Sequence, residues 1–443
     1  MRFLHAFYLT PRLFQVLVGL VLLFVLGYFL PVLDGVGRAL LAGLVAAAVL
    51  DAWLLFRVKD GVEAGRSMPE RLSNGDENPI TINLTNGYAY ALRATVLDEL
   101  PFQFQIRDAR HVVEIPAGGA RQVSYSVRPV ARGAYSFGAL NVYASSPIGL
   151  VSRRYRFEVG RSVPVYPSYL QMRKYELLAV SNRLEEAGVK RIRRIGHTME
   201  FDQIREYVVG DDYRTVNWKA TARRGGLMVN QFQDERSQPV YCLLDMGRVM
   251  KMPFEGMTLL DHSINAALVF ANIALLKQDR AGLVAFSKEI TAALPALRQR
   301  AQIYRMQETL YNLRTDFYES DYARLVAHLR RYVRRRSLLI LFTNFETRSS
   351  LERQLPSLRA LAGSHVLVVV FFENTELRGL LEAPVRDVEG VYLQTIAEKF
   401  AFEKREIVKE LARYGIHAVL TPPADLSINT INKYLELKAR GMI

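Results

Sequence analysis

The densest run of side chains able to do chemistry lies in residues 200–224. Within 25 positions Glu200, Asp202, Glu206, Asp211 and Asp212 meet Arg205, Arg214, Lys219, Arg223 and Arg224, with Tyr207, Gly210, Asn217 and Trp218 among them. Arginine forks bind carboxylates through paired hydrogen bonds, so the block reads as a clasp tying its segment to the domain that follows. Arginines left over would instead grip an acidic partner or a phosphate. Acids and bases nearly balance, which favours the clasp. A competing reading is a metal-dependent hydrolase in which Asp245, Asp211 and Asp212 serve as ligands or bases, since adjacent carboxylates can hold a metal-activated water.

Other chemistry is sparse. No Gly is followed by Lys, so there is no Walker A loop, and neither G-x-G-x-x-G nor G-x-S-x-G occurs. Nucleotide hydrolysis by this chain is not expected. His5, His111, His197, His262, His328, His365 and His417 are scattered without paired metal-ligand spacing. The single cysteine, Cys242, sits in an apolar run where a thiolate would be costly, and one cysteine rules out an internal disulfide framework.

These residues must be positioned by a chain of 443 residues, half of it apolar, with 58 Lys+Arg against 44 Asp+Glu and a formal net charge of +14. That charge suits acidic partners or anionic lipid. Residues 13–30 carry no charge, and residues 39–56 carry only Asp51. Two membrane helices in a hairpin are expected over residues 1–59, joined by a turn from Pro31 to Gly37. Arg2 and Arg12 precede the first helix and Arg57 and Lys59 follow the second, whereas the turn holds Asp34 with Arg38 at its edge. Positive-inside bias then puts both ends, and the soluble parts, on the cytoplasmic side of a protein that crosses the membrane twice. Asp51 is expected to reach toward the interface.

From 60 to 167 short alternating runs such as Ile80, Ile82 and Leu84, separated by Asn74-Gly75, Asn86-Gly87 and Gly118-Gly119, predict an all-β sandwich of immunoglobulin-like type. Residues 168–237 form an arginine-rich ordered connector. From 238 to 443 apolar runs near 240–244, 282–286, 338–342, 366–371 and 417–420 alternate with helical stretches near 259–278, 297–313, 321–335, 350–361, 393–414 and 425–440. That alternation predicts a doubly wound parallel sheet with its sites at the carboxyl ends of the strands.

The chain resembles the domain of unknown function 58 family of membrane-anchored bacterial proteins. The resemblance is carried by Arg205-Glu206-Tyr207, Gly210-Asp211-Asp212, Arg214, Asn217-Trp218-Lys219-Ala220, Ala222-Arg223-Arg224 and Leu227, with Arg132-Gly133-Ala134-Tyr135, Ser146-Pro147-Ile148-Gly149-Leu150 and Val165-Tyr166-Pro167 in support. It implies a sandwich followed by a domain like von Willebrand factor type A, and a non-enzymatic accessory role beside MoxR-type AAA ATPases in complex maturation or envelope integrity.

Relatives of that domain type bind a divalent ion through Asp-x-Ser-x-Ser at the end of the first strand and Thr-Asp at a later one. Here Asp245 keeps the acid, Gly247 and Val249 stand where the hydroxyls belong, and the later strand reads Thr343-Asn344. Thr315, beside Asp316, is the loop hydroxyl expected to help. Magnesium takes near-octahedral oxygen ligation, so a degenerate, poorly binding site and no cofactor are expected. The basic runs 330–336 and 190–194 lack a nucleic-acid reader motif or interleaved aromatics, so nucleic acid is not an expected partner.

Overall fold

A computed structural model describes residues 5–106, 108–157, 160–180, 188–189, 200–233, 237–315, 317–382 and 387–443. The basic run 190–194, Arg2, His197 and Asp316 lie outside the described residues. The chain divides into two compact units, Met1–Tyr166 and Pro167–Ile443.

The first unit opens with β1 (Phe7–Leu9), α1 (Pro11–Phe29) and α2 (Pro31–Arg57). Proline at the first position of each helix sets φ where the missing N–H costs nothing. The turn expected from Pro31 to Gly37 is therefore helical, and the break narrows to Leu30. An apolar solvent explains this, because backbone groups in hydrocarbon must be paired within the segment. Both helices are long and apolar enough to cross a membrane. At 1.5 Å per residue, residues 11–29 and 31–50 each reach about 30 Å, the thickness of the hydrocarbon core.

Asp51 does not reach for an interface. It is fully buried, at 0% exposure. Its carboxylate accepts from Ser146 Oγ and from the backbone N–H of Leu150 and Val151, both at 2.8 Å. Arg153 meanwhile donates to the carbonyls of Leu55, Val58 and Lys59 at 2.6–2.8 Å, capping the carboxyl end of α2. The last turns of α2 are thus fixed to the β-rich part that follows.

That part contains β2 (Val62–Ser67), β3 (Leu72–Ser73), β4 (Asn78–Asn86), β5 (Leu92–Asp98), β6 (Arg110–Ile115), β7 (Ala120–Val127), β8 (Gly133–Phe137), β9 (Leu140–Ser145), β10 (Val151–Phe157) and β11 (Arg161–Tyr166). They form sheets in the orders β1-β10-β9-β5-β6, β2-β4-β7 and β3-β11-β8. Burial alternates along β4 and β5, as a strand with one face on a core requires. Ile82 and Leu84 pack with Ala94, Val96 and Val142, and Leu13 and Leu55 of the helices join the same core.

The second unit begins with α3 (Tyr169–Val180), the ribbon β12 (Glu200–Glu206) and β13 (Met228–Gln233) enclosing α4 (Trp218–Arg224), then β14 (Pro239–Asp245) and a two-strand ribbon, β15 (Pro253–Phe254) with β16 (Met257–Thr258). It continues with α5 (Leu259–Leu276), β17 (Arg280–Phe286), β18 (Ile290–Leu297), α6 (Ala301–Asn312), α7 (Tyr322–Tyr332), β19 (Leu338–Phe342) and α8 (Arg348–Ala362). It ends with β20 (Val366–Phe372), α9 (Thr375–Glu382), α10 (Val388–Arg413), β21 (His417–Thr421) and α11 (Leu426–Ala439).

The central sheet runs β18-β17-β14-β19-β20-β21, parallel except for the β17–β18 hairpin. That antiparallel edge is an addition to the expected all-parallel sheet. Val240, Cys242 and Leu244 face one core with α5 and α11, whereas Tyr241 and Leu243 face the other with α7, α8 and α10. Helices therefore cover both faces, as the strand–helix alternation predicts. The helix α5 is also apolar enough to span a membrane, but 83% of its apolar window is buried inside this unit.

Candidate functional site

Strand order reverses around β14, whose neighbours β17 and β19 leave it on opposite sides. Crevices at such reversals, beyond the carboxyl ends of the strands, are where open α/β sheets bind ligands. Asp245 ends β14, and Thr343-Asn344 follows β19, so both arrive at this crevice. The carboxylate of Asp245 is buried and accepts four hydrogen bonds. One oxygen takes the Gly247 N–H at 2.8 Å and Ser320 Oγ; the other takes Tyr322 OH at 2.9 Å and Thr343 Oγ1 at 2.7 Å. Tyr322 OH and Thr343 Oγ1 also lie 2.7 Å apart. Two hydroxyl protons serve these three contacts, so one edge of the triangle always lacks a hydrogen. Burial, then the Asp245 charge, pushes the Tyr322 phenol well up, keeping it a donor.

Gly247 and Ser320 explain one another. A Cβ at position 247 would collide with Ser320 Oγ, so the loop before α7 supplies the hydroxyl that position 247 lacks. Thr315, the hydroxyl expected from the sequence, makes no such contact among the described residues. Val249 packs against the core and contributes no oxygen. Above Asp245 lies a cavity of about 210 Å³ lined by Ser320, Thr343, Asn344 and Glu346 among others. Glu319, at its rim, is paired with Arg248 and Arg353 at 3.7 and 3.8 Å. Among the described residues no group of three or more His, Cys, Asp or Glu side chains is placed to hold a metal.

The charged block of residues 205–224 forms a separate surface in the same unit. Arg205 binds Asp211 through two bonds of 2.8 and 2.7 Å, and Val208 N–H donates to the same carboxylate at 2.9 Å. Gly210, with φ of +112°, permits that tight loop. The arginine bond holds the Asp211 carboxyl below its usual range. Asp212 accepts from Arg214 N–H at 3.0 Å, and Asn217 caps α4 through Ala220 N–H at 3.0 Å. Tyr207 N–H donates to Leu227 O at 2.9 Å, across the ribbon.

The expected clasp is thus internal. It closes the ribbon's own loop, because Asp211 lies only six residues from Arg205 and nearer than any acid of the sheet. The side chains of Glu200 and Asp202 fall outside the described residues. Lys219, Arg223 and Arg224 are exposed and make no ion pair among the described residues, and Arg214 lies over the Tyr213 ring at 5.8 Å. Val209, Tyr213 and Trp218 stand beside them at 95%, 73% and 72% exposure.

A third feature escapes sequence reasoning. A cavity of about 530 Å³ opens between the carboxyl ends of β20 and β21 and the helices α9 and α10, with Lys404 in its wall. Lys404 Nζ donates to Asn344 Oδ1 at 2.8 Å, and burial pushes its pKa down to about 8. The available signal is a lysine inside the apolar stripe Ala397, Phe400, Ala401, Ile407 and Leu411 of one helix.

Residues 203–392 match the family model described as "Protein of unknown function DUF58". Over these residues the chain is similar to the DUF58 family. The DUF58 region thus holds the exposed ribbon loop, Asp245 and Thr343, and ends before Lys404. A relative is the "Uncharacterized protein YeaD" of Bacillus subtilis (strain 168), 28% identical over 236 residues, which cover 51% of this chain and 56% of that protein. The chain therefore matches little more than half the length of that relative.

Among solved structures, the conserved hypothetical protein BatB from Bacteroides thetaiotaomicron is 13% identical, covers 45% of this chain and 98% of its own, and has a TM-score of 0.31. The CARDB domain of PF1109 from Pyrococcus furiosus is 9% identical, covers 24% of this chain and 94% of its own, and has a TM-score of 0.17. At these scores the likeness stops short of a fold assignment.

Proposed function

We propose that this DUF58 protein is a non-enzymatic scaffold held at a bacterial inner membrane by α1 and α2, with both ends and the soluble parts in the cytoplasm. Its α/β unit works as a domain like von Willebrand factor type A that binds protein partners, a MoxR-type AAA ATPase foremost, in complex maturation or envelope integrity. The orientation rests on Arg12, Arg57 and Lys59 flanking the helices. The ATPase partner rests on the family resemblance.

The observation that carries the reading is the saturated carboxylate of Asp245. A divalent ion wants several oxygens free to turn toward it and at least one or two carboxylates. Asp245 is the one carboxylate in this hydroxyl cage, and its lone pairs already accept the chain's own N–H and O–H groups. The donor set therefore fits a magnesium ion poorly, and the cage serves to hold β14, α7 and the end of β19 in register. Asp211 and Asp212, the other acids of the hydrolase reading, are engaged by Arg205 and by the Arg214 N–H. The exposed Tyr213 and Trp218 beside Lys219, Arg223 and Arg224 supply the aromatic and arginine anchors that dominate protein interfaces.

Affinity purification of the full chain from solubilised membranes, with and without ATP, tests this. An AAA ATPase is expected with the wild type and is lost when Trp218→Ala is combined with Arg223→Glu and Arg224→Glu. No AAA ATPase in either nucleotide state contradicts the reading.

A further inference from the structure

The cavity beside Lys404, at about 530 Å³, falls within the range of small-molecule sites and has their character, apolar walls with a few placed polar groups. Phe254, Phe372, Leu377, Leu381 and Phe400 contribute to its walls. Lys404 is the cation set among them. Its ammonium carries three donors, of which one goes to the neutral amide of Asn344 at 2.8 Å. The Phe371 ring lies 5.7 Å away. Among the described residues no carboxylate comes within ion-pair distance of Lys404. A cation taken from water and given one neutral partner is costly, and an anion brought into the cavity would offset that cost.

The remaining lining narrows the choice of anion. Glu346 and Glu373 also border the cavity, and among the described residues Arg405 is the one further cation there. Two cations against two carboxylates leave no surplus positive charge to compensate a dianion. A doubly charged phosphate is therefore disfavoured against a carboxylate, and the apolar walls call for a hydrocarbon tail. We propose that this cavity binds an apolar monocarboxylate, its tail against Leu377, Leu381 and Phe400 and its carboxylate on Lys404. This site is independent of the protein partner proposed above. Asn344 also lines the smaller cavity at Asp245, so the ligand would touch a residue shared by both.

Isothermal calorimetry on the full chain in phosphatidylcholine nanodiscs, with empty discs as reference, tests the proposal using octanoate, octanol, octylamine and octyl phosphate. Octanoate is expected to bind with a Kd below about 1 mM, and each of the other three at least about tenfold more weakly. Lys404→Met should weaken octanoate about tenfold without changing octanol. Ala401→Trp, which fills the cavity from its wall, should abolish binding of both. No heat with octanoate up to about 1 mM, octanol binding as tightly as octanoate, or full affinity in a folded Lys404→Met variant would each overturn it. The octanoate and octanol comparison needs only the wild type, so the proposal stays testable if a variant fails to fold.

Discussion

Two buried acids, Asp51 and Asp245, solve the same problem in different surroundings. Each is a carboxylate with almost no exposure, and each is satisfied by groups distant in sequence rather than by a cation. Asp51 takes the backbone N–H groups of Leu150 and Val151, at the start of β10, which cannot rotate toward another acceptor if it is lost. Asp245 takes mostly hydroxyls, which can rotate and re-pair, and it faces a cavity of about 210 Å³. The first acid is a fixed joint between a helix end and a sheet. The second is a joint with a solvent-facing side, where water can reach the hydroxyls if the acid is removed. Backbone donors are stranded when their carboxylate is removed, whereas hydroxyl donors can pair with one another.

Breaking the joints should separate them. Asp51→Ala strands the Leu150 and Val151 N–H groups in a buried site and is expected to cost about 4 kcal/mol of stability. Urea unfolding in detergent, followed by the fluorescence of Trp53 in α2, reads this. Asp245→Ala leaves hydroxyls that can pair with one another or with entering water, so its expected cost is about 2 kcal/mol.

Lys404 offers the opposite case, a half-buried charge whose hydrogen-bond partner is the neutral amide of Asn344 and whose compensating charge, Glu346, lies beyond ion-pair distance. Its folded pKa of about 8 lies below its ordinary value of 10.5, so between those values the unfolded chain binds more protons. Stability should therefore rise with pH across that window in the wild type. Lys404→Met should remove the rise and stabilise the protein at pH 7 by about 2 kcal/mol, seen as a higher urea midpoint.

The smallest effect is expected at the surface. Asp211→Asn should leave the global melting temperature unchanged, because the Arg205 pair is solvent-accessible. Its local contribution is present above the ordinary carboxyl value of 3.8 and is lost as pH falls through the lowered folded value. Amide exchange at Val208, which donates to Asp211, should quicken in that acid range and already at neutral pH in the variant.

Much of the architecture is legible in the sequence because burial imposes pattern. Val366–Phe372 is buried at every position, and an uninterrupted apolar run is what a central parallel strand must look like. Edges are harder. Ile290–Leu297 is only partly buried and contains Pro295, which an edge strand tolerates and which hides it from a strand search. The helical course of residues 31–37 is hidden for another reason, since Pro31, Asp34 and Gly35 are turn residues in water but can open a helix. At the sites, Asp245 is found at its strand end because one strand suffices to place it. Its partner Ser320 lies 75 residues away, and Asp51 meets Val151 across 100 residues, distances that local spacing cannot bridge. Lys404 is missed because a lysine in a helical stripe is usually one that reaches out to solvent.

Magnesium calorimetry on the full chain at pH 7.5 tests most directly whether the strand-end acid is occupied by its own chain. No binding tighter than about 1 mM is predicted, for the wild type and for Asp245→Ala alike. A Kd tighter than about 0.1 mM that disappears in Asp245→Ala would contradict the account.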